Sequence, residues 1–197
     1  MNVDLIPTLV EDAPRLEVIY PKIEKATEHE LFVEIGSFIG GNTLRVANKI
    51  RESGKDILLY TLDNFHFVNV SSESAKQSNF QLHGDHDTRQ QDYYQTLMDN
   101  IYDCELQDYI IVLDGDSIEL SKTFRDESID LIFFDGAHDY PYVRDELKVW
   151  LPKVKTGGVI SGHDYPCAGI QKAVKEILPN YQIKITSTNG AYFTSKI

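Results

Sequence analysis

Two hydrophobic spacings alternate along this chain. Residues 31–35, 57–62, 109–113, 129–134 and 159–161 are short, mainly apolar runs of strand length. Between them, apolar residues recur every three or four positions. Leu44, Ala47 and Ile50 mark a helix over 43–51, closed near Gly54. Tyr94, Leu97, Met98 and Ile101 mark another. Val143, Leu147, Trp150 and Leu151 follow Asp139-Tyr-Pro141, where proline suits a first helical turn and Asp139 can cap it. A further helix over 170–178 stops before Pro179. Ahead of the first strand, Leu16, Ile19, Tyr20 and Ile23 predict an amphipathic helix within 10–27, interrupted around Pro14 and Pro21. At the other end, residues 181–186 and 191–195 flank an Asn-Gly turn signal, which predicts a hairpin.

Strands that are apolar along their whole length are covered on both faces, and strands alternating with helices build a parallel sheet. The expected fold is therefore α/β: a doubly wound, mainly parallel seven-stranded sheet with a C-terminal antiparallel hairpin. Residues 1–30 read as an N-terminal helical segment and 31–197 as the main domain. The polar stretch 64–92 lacks either period. At 29 residues it is long for a connection, as insertions that form lids or binding loops are. It carries His66, His83 and His86 with Asp85 and Asp87, which suit either a solvated loop or a second metal site.

Composition narrows the partners. A net charge of −12, with 31 acidic against 19 basic residues, argues against nucleic acid, whose binding draws on Lys and Arg neutralising phosphates. No apolar run approaches the ~18 residues that span a bilayer. The N-terminal Met-Asn-Val-Asp-Leu-Ile-Pro lacks the basic-then-apolar pattern of a secretory signal. Two cysteines, Cys104 and Cys167, are too few for a disulfide framework and read as reduced thiols of a cytoplasmic protein. A small-molecule or glycan partner is expected, with oligomeric state unread.

Sheets of this kind bind ligands beyond the carboxyl ends of their strands. The first strand runs through Glu34 into Gly36-Ser37, then Gly40-Gly41 and a helix: Glu-x-Gly-x-x-x-Gly rather than the dinucleotide Gly-x-Gly-x-x-Gly. The second ends in Asp63-Asn64, 27 residues past Gly36, where an acid suits both ribose hydroxyls or a solvated turn. The third ends in Asp114-Gly115-Asp116-Ser117, also suited to a type I turn. The fourth ends in Asp135-Gly-Ala-His138-Asp139-Tyr140, and after Gly157-Gly158 the fifth ends in His163-Asp164-Tyr165.

Over residues 31–178 this order of motifs resembles the class I S-adenosylmethionine (SAM) methyltransferases. It is most similar to the group of small-molecule and sugar O-methyltransferases that includes the macrocin type. The resemblance implies a Rossmann-like fold and a SAM-dependent O-methyltransferase. Glu34, Gly36, Ser37 and Gly40 would hold the methionine end of SAM, and Asp63 with Asn64 the ribose. Asp116 and Ser117 would meet the adenine amino group, with Asp135 also bordering the cofactor.

Methyl transfer needs an oxygen aligned behind the methyl carbon and stripped of its proton. A divalent cation, Mg²⁺ by the resemblance with Mn²⁺ as the alternative, would sit on Asp135 and Asp164 and polarise the hydroxyl. The chain departs from the group's usual acidic pair at His163. An imidazole ligand there would tilt preference toward Mn²⁺, Fe²⁺ or Zn²⁺; otherwise His163 points away. His138 is the candidate general base, Asp135 its rival. Two other readings stay open on the residues alone: a non-catalytic nucleotide-binding scaffold, and an NAD-type oxidoreductase, which the glycine spacing disfavours.

Overall fold

The computed structural model describes residues 1–6, 14–27, 29–65, 93–186 and 191–196. The candidate lid therefore falls outside the described residues apart from Asn64 and Phe65, as do His66, His83, Asp85, His86, Asp87 and the Asn189-Gly190 turn.

Seven strands form one sheet in the order β3-β2-β1-β4-β5-β7-β6. They are β1 (Glu30–Ile35), β2 (Ile57–Asp63), β3 (Ile110–Asp114), β4 (Ile129–Phe134), β5 (Val154–Gly162), β6 (Lys184–Ile185) and β7 (Tyr192–Ser195). β1 to β5 pair in parallel, while β7 runs antiparallel to both β5 and β6. This is the expected doubly wound sheet with its terminal hairpin. The chain order reverses between β1 and β4, which makes that boundary the switch point where such sheets bind ligands.

Alternation along the strands divides the core in two. Phe32, Leu131 and Phe133 face one layer, where α2 (Gly41–Ser53) and α3 (Tyr93–Asp103) pack with Leu44, Ala47, Ile50, Leu97 and Ile101. Val33, Ile132 and Phe134 face the other, against α5 (Tyr140–Trp150) and α6 (Ala168–Ile177) through Val143, Leu147, Trp150, Ile170 and Val174. Between these in the chain lies the single turn α4 (Ser117–Leu120). Among the described residues no helix is long and apolar enough to cross a membrane.

Three details differ from the sequence reading. First, the N-terminal helix is not broken at Pro21: a π-helical segment, Arg15–Ile19, continues into α1 (Tyr20–Lys25), where proline occupies the first turn. The wider π turn shifts the buried face, so Val18 and Ile19 are buried and Leu16 is 60% exposed. Val3, Ile6, Val18, Ile19 and Ile23 all join the layer of α2 and α3. Second, Asp139 occupies the cap position of α5 but its side chain makes no capping hydrogen bond. Third, β5 begins at Val154, so Gly157 and Gly158 lie inside it rather than ahead of it. They sit where the pairing with β4 shifts register between Ile129 and Leu131. A Cβ at Gly158 would come within 2.8 Å of the Lys155 carbonyl oxygen.

Candidate functional site

The five parallel strands end in step. Leu113, Leu62, Ile35, Phe134 and Gly162 pair successively across β3, β2, β1, β4 and β5, forming one row. The next residues along, Asp114, Asp63, Gly36, Asp135 and His163, make the next row at the carboxyl edge. At about 4.8 Å per strand this row spans roughly 19 Å. Backbone bonds carry the pairing beyond the strand ends: Gly36 N–H to Leu62 O (2.8 Å), Asp135 N–H to Ile35 O (2.7 Å) and His163 N–H to Phe134 O (2.8 Å).

The turn after β1 is built by two carboxylates. Glu34 is 3% exposed and accepts from Asn42 Nδ2 (2.7 Å), Thr43 Oγ1 and Thr61 Oγ1 (3.0 Å), tying β1 to β2 and to the first turn of α2. Arg15 extends this network by donating to Asn42 Oδ1 (3.0 Å). Burial raises the pKa of Glu34, only partly offset by the Thr43, Asn42 and Thr61 bonds. Asp63 Oδ2 accepts from the backbone N–H groups of Ser37 (3.0 Å) and Phe38 (2.9 Å), and its Oδ1 from Phe65 N–H (2.9 Å). Gly36 has φ +93°, and Gly40, φ +90°, opens α2. Ser37 is buried, and its hydroxyl has no hydrogen-bond partner among the described residues. Asn64 is exposed beside Asp63.

After β3, Asp116 caps α4 by accepting from Glu119 N–H (3.0 Å) and also accepts from Tyr142 Oη (2.7 Å). Ser117 is buried, and its hydroxyl donates to Glu146. Glu146, 2% exposed on α5, was not foreseen from sequence, where its place two residues after Arg144 on a charged helix carries no signal. Burial pushes its pKa up to about 7; the Ser117 bond opposes this and nearby Asp116 adds to it. In the unfolded chain Glu146 titrates as an ordinary carboxyl, so the folded state holds its proton more tightly. That preference stabilises the fold fully below about pH 4.5 and is lost as pH rises through about 7. Glu146→Gln should therefore be more stable than the parent at pH 8, by about 3 kcal/mol, with the advantage gone near pH 4.5. Urea denaturation at the two pH values checks this, and an equal difference at both would contradict it.

After β4 and β5 lies the densest group of polar side chains. Asp135 Oδ1 is 3.6 Å from His163 Nδ1, which is 3.1 Å from Asp164 Oδ2. One ligand atom from each of the three lies within 4.8 Å of the others. His138 Nε2 is 2.8 Å from the same Asp164 oxygen. Burial, then Asp164, then Glu34 raise the pKa of Asp135 well above the usual carboxylate range. Burial works the same way on Asp164, but hydrogen bonds to His138 and His163 outweigh it and hold that carboxylate well below the range. The Asp164 bond raises the pKa of His138 against the effect of burial. Asp164 has φ +52°, in the left-handed region. His163 Nε2 is buried and has no partner among the described residues.

Of the positions singled out in the sequence, Asp135, His138, His163 and Asp164 are thus brought into one cluster. Gly36 lies directly against it, since a Cβ there would sit 2.4 Å from Asp135 O. Ser37 and Asp63 adjoin through the turn, and Asp116 with Ser117 occupies the β3 end of the row. Glu34 is turned into the interior behind the turn. Arg15, Asn42, Thr43, Thr61 and Tyr142 join these networks without having been singled out, because their partners are distant in sequence.

A family model described as a methyltransferase domain matches residues 33–165. Several solved structures share the fold. The O-methyltransferase NovP is 20% identical with a TM-score of 0.69, over 92% of this chain and 79% of that one. A methyltransferase from Geobacter sulfurreducens is 16% identical with a TM-score of 0.63, over 98% and 81%. The precorrin-6y C5,15-methyltransferase from Geobacter metallireducens is 13% identical with a TM-score of 0.64, over 97% and 93%. No curated protein sequence matches the chain. With the family model covering 133 of 197 residues, and the motifs after β1, β2, β3, β4 and β5 aligned along one sheet edge, the chain belongs to the class I methyltransferase-domain family.

Proposed function

We propose that this protein transfers a methyl group from SAM to a hydroxyl oxygen of a small molecule or sugar, assisted by a divalent cation. One observation carries the reading: Asp135, His163 and Asp164 converge beside the glycine turn at the switch point of the sheet. The likeness to NovP, itself an O-methyltransferase, supports oxygen as the acceptor atom.

SAM would lie along the row of strand ends. Its methionine end belongs at the Gly36–Gly40 turn, where the unpartnered Ser37 hydroxyl offers a hydrogen bond. The ribose belongs at Asp63 and Asn64, and the base beyond them toward Asp116 and Ser117. Asp63 has two tasks here: three backbone N–H groups on its carboxylate shape the turn, while the one remaining acceptor site, on Oδ1, would take a sugar hydroxyl.

Two carboxylates and an imidazole fit a divalent cation. Asp135 and Asp164 repel each other when both are charged, and a cation relieves that repulsion. Asp135, Asp164 and His163 would hold it, and the cation would supply Lewis acidity toward the acceptor hydroxyl. The nitrogen ligand favours Mn²⁺ over Mg²⁺. His138 would take the hydroxyl proton. The ionised Asp164 can only accept, so the imidazole proton belongs on Nε2 and leaves Nδ1 free as the base.

Calorimetric titration with S-adenosylhomocysteine, the demethylated product, tests the cofactor assignment. The parent protein should bind it, and Asp63→Ala should weaken binding by roughly 1–3 kcal/mol. Unchanged affinity in that variant would remove Asp63 from the site, and no binding to the parent protein would remove the cofactor.

A further inference from the structure

We propose that Glu146 is a positioning residue that makes the Asp116–Ser117 turn selective for a 6-aminopurine over a 6-oxopurine. The inference rests on the cofactor reading above and adds to it the group that holds the base-recognition turn in place.

If the ribose is at Asp63, the base extends toward β3. Asp63 pairs with Asp114, and Gly115 N–H donates to Asp63 O (3.0 Å), so Asp116 is the next carboxylate beyond the sugar. Adenine presents an amino donor at position 6 and an acceptor at N1; hypoxanthine reverses both. A carboxylate accepts only, so Asp116 favours the amine and repels the carbonyl. That preference holds only while the carboxylate keeps its orientation.

Two bonds hold it. Asp116 Oδ1 takes Glu119 N–H (3.0 Å) and Oδ2 takes the Tyr142 hydroxyl (2.7 Å). Tyr142 and Glu146 are four residues apart on α5 and so share a face. The Ser117 hydroxyl lies between them, bonded to Glu146 and 3.4 Å from the Tyr142 oxygen. Tyr142 has one hydroxyl hydrogen. While Glu146 accepts from Ser117, the serine proton is engaged and the Tyr142 hydrogen goes to Asp116. Without Glu146, the buried Ser117 hydroxyl has lost the acceptor for its proton and turns to the Tyr142 oxygen, 3.4 Å away; drawing the two together pulls Tyr142 off Asp116, which loses that anchor. A Gln at 146 keeps an accepting oxygen, whereas a Leu of similar size does not.

The test compares binding of S-adenosylhomocysteine and S-inosylhomocysteine by calorimetry, in the parent protein and in Glu146→Gln, Glu146→Leu and Tyr142→Phe. The parent should prefer the adenosyl compound by roughly 10-fold or more, because the inosyl carbonyl opposes the site's acceptor. Glu146→Gln should keep that ratio, and Glu146→Leu should bring it to about 2-fold or less. Tyr142→Phe, a milder change on a partly exposed side chain, should also collapse the ratio and keeps the test decisive should Glu146→Leu fail to fold. A parent protein without preference, or a preference that survives in Glu146→Leu or in Tyr142→Phe, overturns the inference while leaving the cofactor reading intact. Binding of neither compound overturns both.

Discussion

Asp164→Asn is expected to lower metal-stimulated turnover by about 10²-fold or more, because one change removes the charge of a proposed cation ligand and the partner that orients the proposed base. Asparagine keeps the shape of aspartate and tolerates the left-handed backbone at φ +52°, so the loop should stay in place. What changes is charge. Asp164 is the carboxylate that two imidazoles keep ionised, and its Oδ2 meets both His138 and His163. An amide offers no net charge to a cation and only half the acceptor capacity. Mn²⁺ binding, read by calorimetry, should weaken by about 10-fold or more. Affinity for S-adenosylhomocysteine should stay close to that of the parent, since the turn and the ribose acid are untouched. His138→Ala separates the two contributions: it should lose turnover by about 10²-fold while keeping Mn²⁺ affinity. Undiminished Mn²⁺ binding by Asp164→Asn would remove the cation from the proposed reaction.

Gly36→Ala should unfold at markedly lower denaturant, with a loss of about 3 kcal/mol or more. The position demands glycine twice. Its φ of +93° is one that side chains rarely adopt, and a Cβ would stand 2.4 Å from Asp135 O, 2.6 Å from Asp135 C and 2.8 Å from Gly136 N. All three atoms are backbone of the neighbouring strand end, so no side chain can swing away. Relief requires β1 and β4 to part where Asp135 enters the proposed metal-ligand cluster. The variant should therefore also bind S-adenosylhomocysteine more weakly under conditions where it remains folded. Urea denaturation measures the first effect and calorimetry the second; a variant as stable as the parent would show that the close approach relaxes freely. Gly54→Ala is the natural comparison. Gly54 also has positive φ (+64°), but nothing lies within 4 Å of a Cβ there, so only the conformational penalty applies.

The sheet was legible because it rests on local pattern. Continuous apolar runs are needed wherever both faces of a strand are covered, and β4 occupies the span 129–134 that its apolar run marks. Helix ends were readable where one residue type suffices, as at Gly54. Legibility failed where a neighbour distant in sequence decides. The π turn at Arg15–Ile19 rotates the buried face by an amount that no 3.6-residue period contains. Asp139 sits at a cap position without capping α5, and the two glycines of β5 serve a register shift against β4 rather than a loop.

Much of the candidate site follows the same division. Reading acids at the ends of successive strands was enough to nominate Asp63, Asp116, Asp135 and Asp164, because parallel strands all point their carboxyl ends one way. The partners of those acids were not readable. His138 meets Asp164 across 26 residues, Glu146 meets Ser117 across 29, and Arg15 reaches Asn42 across 27. By itself, then, the sequence determined the kind of sheet, the edge at which chemistry gathers and the acids along it, since these depend on residue type and order alone. Only the tertiary structure decided which of those acids stay charged and which side chains hold them, because burial and hydrogen bonding depend on distances that close when the chain packs.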